Sequence, residues 1–84
     1  MRYLTYFTST NNRIDIHNSL ISGQEKVFYN GKLVAAQCTL WGARHRFNVV
    51  EDEENVEYEV VVSIKPLLRI GFDIFRNGKA LLLS

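Results

Sequence analysis

The dipeptide Asn-Gly occurs twice, each time inside the pattern Phe-x-Asn-Gly-Lys: Phe28-Tyr29-Asn30-Gly31-Lys32 and Phe75-Arg76-Asn77-Gly78-Lys79, each followed by a short apolar run. Both central residues of a type I′ turn need positive φ, which Asn and Gly tolerate best, so Asn-Gly between apolar runs predicts a hairpin tip. The first tip joins a strand over 25–29 to one over 32–38, and the second joins 68–76 to 79–83. Chain reversals this tight dictate antiparallel neighbours.

Between the tips, 44–51 reads as a strand and Asp52-Glu53-Glu54-Asn55 as a charged turn leading into 56–64. There Tyr58, Val60, Val62 and Ile64 alternate with Glu57, Glu59, Val61 and Ser63, and period two predicts a half-buried strand. Lys65-Pro66 then interrupts the ladder, because proline has no N–H to donate. At the N-terminal end, 3–8, an Asn11-Asn12 turn and 13–17 predict one more hairpin, with a looser connection over 18–23. No stretch carries the 3.6-residue apolar period of an amphipathic helix. The predicted fold class is therefore all-β: an antiparallel β-sandwich or small barrel of seven or eight short strands built from hairpins. The 84 residues make it a single domain over 1–84 with one modest core.

With two-residue turns, Phe28 is expected opposite Leu33 and Val27 opposite Val34, while Phe75 faces Ala80 and Ile74 faces Leu81. The last hairpin is then apolar on both sides, with Ile70, Phe72, Ile74, Leu81 and Leu83 on one and Phe75, Ala80 and Leu82 on the other. A sheet with one wet face does not read this way, so a cover from this chain or from another subunit is expected. Phe28, Leu33, Phe75 and Leu82 form the candidate protein-binding set.

The segment from Arg13 to Lys32 resembles the opening of the globular domain of the Fas apoptosis inhibitory molecule family. The matching positions are Arg13, Ile14, Asp15, Ile16, Ser22, Gly23, Val27, Phe28, Asn30, Gly31 and Lys32. Gly42 and Phe47, then Tyr58-Glu59-Val60, then Asn77-Gly78-Lys79 extend the resemblance over nearly the whole chain, on turn and strand motifs. It implies an all-β sandwich used for intracellular protein contacts, with no catalytic centre. Members of that family carry two such domains, where this chain has one.

A net charge of +1 creates no field that would gather polyphosphate or an anionic bilayer, so neither nucleic acid nor membrane is expected as a partner. The one cysteine, Cys38, has no cysteine neighbours for zinc or a disulfide. No segment reaches the roughly 20 apolar residues that span a bilayer, and the start of the chain lacks the apolar run of a secretory signal. A cytoplasmic protein is the expectation.

Few residues point to chemistry. His17 and His45 are far apart in sequence, and His45 lies between Arg44 and Arg46, which oppose cation binding, so neither a metal site nor a cofactor is expected. Cys38 among Ala35, Ala36 and Leu40 reads as a small buried hydrophobe. The acids 51–54 read as a solvated hairpin tip without the ligand spacing of a calcium loop. Arg44 and Arg46 share one strand face while His45 and Phe47 share the other, so charge and stacking are not displayed together for single-stranded nucleic acid. The leading expectation is a non-enzymatic protein-interaction module, a homo-oligomer or one with a protein partner. Its alternative is a small-ligand-binding domain with Trp41 and Tyr58 lining a pocket. An enzyme using Cys38 with a histidine stands third.

Overall fold

The computed structural model describes residues 2–19, 21–39 and 42–83, and of the side chains all of these except 2, 3 and 68. The described residues are all-β, with eight strands among them in two four-stranded antiparallel sheets. It divides into two compact units, Met1–Trp41 and Gly42–Ser84. The first holds β1 (Arg2–Phe7), β2 (Arg13–Asn18), β3 (Gln24–Tyr29) and β4 (Lys32–Cys38), and the second holds β5 (Gly42–Glu51), β6 (Glu54–Lys65), β7 (Arg69–Arg76) and β8 (Lys79–Leu82). In both sheets the spatial order follows the chain order, the simplest meander that consecutive hairpins can build.

The turns follow from their residues. Asn30 (φ 50°) and Gly31 (φ 85°) close β3–β4, and Asn77 (φ 49°) and Gly78 (φ 81°) close β7–β8, with positive φ at both central positions. A third two-residue turn, Asp52 (φ 51°) and Glu53 (φ 66°), closes β5–β6 in the same backbone form without the residues that favour it. The charged turn is thus shorter than its four acidic and amide residues suggested, and β6 begins at Glu54. Pro66 opens a one-turn 3-10 connector, Pro66–Leu68, between β6 and β7.

Each Asn-Gly hairpin carries the same irregularity. Phe28 pairs with Leu33 but Val27 pairs with Ala35, so the register steps over Val34. Phe75 pairs with Ala80 but Ile74 pairs with Leu82, so it steps over Leu81. The extra residue is a β-bulge, and it corrects the expected faces. Leu82 lies with Ile74 on the buried side, and is not on the side of Phe75.

The two units repeat one another residue by residue. Ile14, Asp15 and Ile16 pair with Tyr29, Phe28 and Val27, while Tyr58, Glu59 and Val60 pair with Arg76, Phe75 and Ile74. At the first strand of each unit, Thr5 pairs with Asp15 and Arg46 pairs with Glu59. The Asn of each turn makes the same double contact: Asn30 N–H donates to the Arg13 carbonyl and Asn30 Oδ1 accepts from the Arg13 N–H, as Asn77 does with Glu57. The duplicated phrase is therefore the most legible part of a duplicated four-strand unit.

Alternation sets the inner face of each sheet. Ile14, Ile16 and Val27 are buried in the first unit, and Phe47, Val56, Tyr58, Val60, Val62, Phe72 and Ile74 in the second. Where the second unit places Val62 beside Phe72, the first places Asn18 beside Glu25. Both polar side chains are buried there, and Asn18 Nδ2 donates to Glu25 Oε2 at 2.8 Å.

Candidate protein-interaction site

Phe28 and Leu33 stand directly opposite each other on the outer face of the first sheet, at the base of the Asn30-Gly31 turn. The row across that face runs Thr5, Asp15, Phe28, Leu33. Asp15 is buried although it lies on the outer side, and it accepts from Thr5 Oγ1 (2.7 Å) and from Arg13 Nε (2.8 Å). His17 tilts against Phe28 with ring centroids 5.2 Å apart. Phe28 is half-buried in this setting, whereas Leu33 is 50% exposed.

Leu33 belongs to β4, an edge strand of its sheet. Five of the seven β4 residues are exposed, and Leu33-Val34-Ala35-Ala36-Gln37-Cys38 carries no charge. Edge strands ordinarily carry charges, proline or short length that discourage a further strand. Both edges of the second sheet do so, since β5 presents exposed Arg44 and Arg46 and β8 is four residues long and begins with Lys79. On β1, the other edge of the first sheet, Leu4 and Tyr6 are half-buried and the Thr5 hydroxyl is engaged by Asp15. Like β4, β1 carries no charge after its first residue and its Phe7 is 60% exposed, so both edges of the first sheet are less guarded than those of the second; β4 is the longer of the two and carries a bulge at Val34.

Phe75 occupies the position in the second unit that Phe28 holds in the first. Its row runs Arg46, Glu59, Phe75, Ala80, with Arg46 Nε donating to Glu59 Oε2 at 2.7 Å and Arg44 Nη1 at 3.6 Å from the same oxygen. Arg46, Glu57, Glu59, Phe75 and Gly78 line a shallow depression there. The expected binding set is accordingly split: Phe28 and Leu33 share one outer face, Phe75 lies on the outer face of the other sheet, and Leu82 turns inward.

Trp41 lies outside the described residues. Tyr58 is fully buried, stacked on Phe47 at 5.4 Å, and its hydroxyl donates to Glu51 Oε2 at 2.6 Å. Arg76 closes the other oxygen of Glu51 through Nε (3.2 Å) and Nη2 (3.0 Å). Burial, then the hydrogen bond and charge of Glu51, push the Tyr58 phenol up to about 12. Tyr58 is therefore a core residue with a satisfied hydroxyl. Glu51 departs from the expected solvated run, because strand alternation turns it to the buried side where Tyr58 and Arg76 hold it. Sequence reading missed this trio, since nothing in a linear string pairs Glu51 with Arg76.

Cys38 is exposed, contrary to the expectation of burial, because it lies at the end of the edge strand, where its thiol reaches the Ser22 carbonyl at 3.4 Å. His17 sits on β2, two strand spacings or about 10 Å across the sheet from β4. His45 is buried opposite Val60, and Arg44 and Arg46 are exposed beside it, as the alternation predicts. Among the described residues, no three of His, Cys, Asp and Glu cluster as metal ligands would. No protein-family model, no curated protein and no solved structure matches the chain.

Proposed function

We propose that the protein is a non-enzymatic interaction module that accepts an added strand on β4, and that the strand is supplied by the β4 of a second copy. One observation carries this reading: the exposed edge strand with Leu33 on its outer side has no charge over six consecutive residues. A docked strand gains main-chain hydrogen bonds along such an edge, while neighbouring side chains supply burial. Antiparallel pairing about a twofold axis through Ala36 brings the Ala36 residues of the two copies together on the outer face, with no like charges opposed. The resemblance to the Fas apoptosis inhibitory molecule family implies the same kind of work and forms part of this proposal. Amide hydrogen exchange tests it: the β4 amides slow as protein concentration rises while the β8 amides do not, and equal rates at all concentrations contradict it.

A second reading, a small-ligand-binding domain, is favoured by the depression around Phe75, where Arg46 and Glu57 offer charges of both signs beside an aromatic ring. Titration with a metabolite panel, followed by the chemical shifts of Gly78 and Arg46, tests that reading.

A further inference from the structure

The two Asn-Gly turns share a backbone form, yet their side-chain amides are held differently. Asn30 is fixed at both ends of its amide: Oδ1 accepts from the Arg13 N–H at 2.7 Å, and Nδ2 donates to Asn12 Oδ1 at 3.1 Å. Asn77 Oδ1 accepts from the Glu57 N–H at 2.9 Å, but its Nδ2 has no partner among the described residues. The glycines differ as well. Arg13 Nη2 lies 3.5 Å from where a Cβ of Gly31 would stand, whereas a Cβ at Gly78 would meet nothing within 4 Å. All four turn residues are exposed.

The hairpins also differ in how readily they open. β4 runs for seven residues along β3, and its far end is tied down by Thr39 N–H donating to the Gly23 carbonyl and by the Cys38 thiol donating to that of Ser22. β8 is four residues long and is joined to β7 by the pairs Ile74–Leu82, Phe75–Ala80 and Arg76–Lys79. A short edge strand with few buried contacts lies at the low end of local stability, so the β7–β8 tip is released more often than the β3–β4 tip. Release matters because asparagine is chemically labile, and most so before glycine, which places no Cβ in the way of attack by its own nitrogen. In the closed turn the hydrogen bond to Glu57 keeps the Asn77 amide turned to β6.

We propose that Asn77-Gly78 is a site of spontaneous deamidation, and that the fold protects Asn30-Gly31 from the same reaction. In the opened turn the Gly78 nitrogen bonds to Asn77 Cγ and the Cγ–Nδ2 bond breaks. The amide leaves as ammonia, taking up the proton that the Gly78 nitrogen gives up. Water then opens the five-membered imide at one of its two carbonyls, leaving aspartate or isoaspartate at position 77, with no change of oxidation state. The isoaspartyl form adds a main-chain carbon to a turn whose two residues match the twist of the strands, so β8 no longer closes in register. Leu82, which lies with Ile74 on the buried side, is released with it. The guarded edge of the second sheet is lost, and β7 becomes an edge in its place.

The test is incubation of the full chain for weeks in mildly alkaline buffer at low protein concentration, folded or unfolded in urea, with chymotryptic peptides read by tandem mass spectrometry. In the folded protein Asn77 is expected to deamidate at least about fivefold faster than Asn30, from easier opening and one hydrogen bond fewer. In urea the two rates are expected to agree within about twofold, because both asparagines precede Gly-Lys and neither turn is held. Equal rates in the folded protein, or a faster reaction at Asn30, overturn the proposal. So does a fivefold ratio that persists in urea, since the difference then comes from the preceding Tyr29 and Arg76 and owes nothing to the fold. The isoaspartyl form, separated by ion exchange, is expected to lose amide-exchange protection on β8 while keeping it on β5 and β6. Protection retained on β8 contradicts its release.

Discussion

Asn77 is bound to Glu57 at two points: the Asn77 N–H donates to the Glu57 carbonyl at 2.7 Å, and Asn77 Oδ1 accepts from the Glu57 N–H at 2.9 Å. Asn30 holds Arg13 by the same pair of contacts. Each Asn therefore does two jobs, supplying the positive φ of its turn and fastening the turn to the second strand of its sheet. Asn77→Gly keeps the first and the main-chain half of the second, losing only the Oδ1 contact, and is expected to cost about 1 kcal/mol, the net worth of one hydrogen bond. Asn77→Ala loses the same Oδ1 contact and the tolerance of positive φ, and is expected to cost about 2 kcal/mol, because a left-handed alanine adds its own penalty. Urea denaturation of the two variants checks the order, and Asn30 substitutions are expected to give the same ranking.

The Asp52-Glu53 turn has the backbone of the other two hairpins without their residues. Replacing it by Asn-Gly supplies the sequence that this backbone favours. The double substitution is expected to stabilise the protein by about 1 kcal/mol, read as a raised urea midpoint with unchanged slope. An unchanged or lowered midpoint contradicts the turn assignment.

Gly42 and Gly78 both have positive φ, 94° and 81°, but their surroundings differ. A Cβ at Gly42 would overlap the Val62 carbonyl across the sheet, whereas one at Gly78 would meet nothing within 4 Å. Gly78→Ala is expected to cost about 1 kcal/mol from the backbone alone. Gly42→Ala adds a backbone clash and is expected to cost more than about 3 kcal/mol or to prevent folding. Thermal melts of the two alanine variants compare them directly.

Tyr58 ties stability to alkaline pH. Its phenol is raised from 10.0 to about 12 in the fold, so the neutral form is favoured there and its stabilisation is complete below pH 10. Between pH 10 and about 12 the unfolded chain loses this proton before the folded one does, and that contribution disappears. Stability is expected to fall across that window. Tyr58→Phe is expected to cost about 1–2 kcal/mol at neutral pH, through the acceptor left on Glu51, and to make the alkaline decline shallower. Urea titrations at a series of pH values measure both effects.

Both Asn-Gly hairpins, the period-two alternation of β6 and the break at Pro66 were legible in the sequence because each rests on residues adjacent in the chain. The bulges at Val34 and Leu81 were not, since no residue type announces where a ladder takes in an extra residue. That single step moved Leu82 from the outer to the inner side. Cys38 was misplaced for a related reason: its apolar neighbours describe composition, whereas its exposure comes from being on an edge strand. The contacts of Glu51 with Tyr58 and Arg76 depend on pairing across three strands, which a linear reading does not contain. The equivalence of the two units was visible only at the repeated phrase, because Ile14 corresponds to Tyr58 and Asn18 to Val62 with no shared letters between them.

The most direct test of the interaction reading is sedimentation equilibrium of the parent chain and of Ala36→Lys. Ala36 is exposed on β4 and pairs with Lys26, so the substitution is expected to cost up to about 1 kcal/mol within the sheet while opposing two lysines in a paired edge, and the masses are compared where both chains are folded by circular dichroism. The account predicts that the parent mass rises towards that of a dimer with concentration and that Ala36→Lys raises the dissociation constant at least about tenfold. A parent chain that stays monomeric up to about 1 mM, a range in which even weak pairing is detected, contradicts it, as does an Ala36→Lys variant that dimerises equally well.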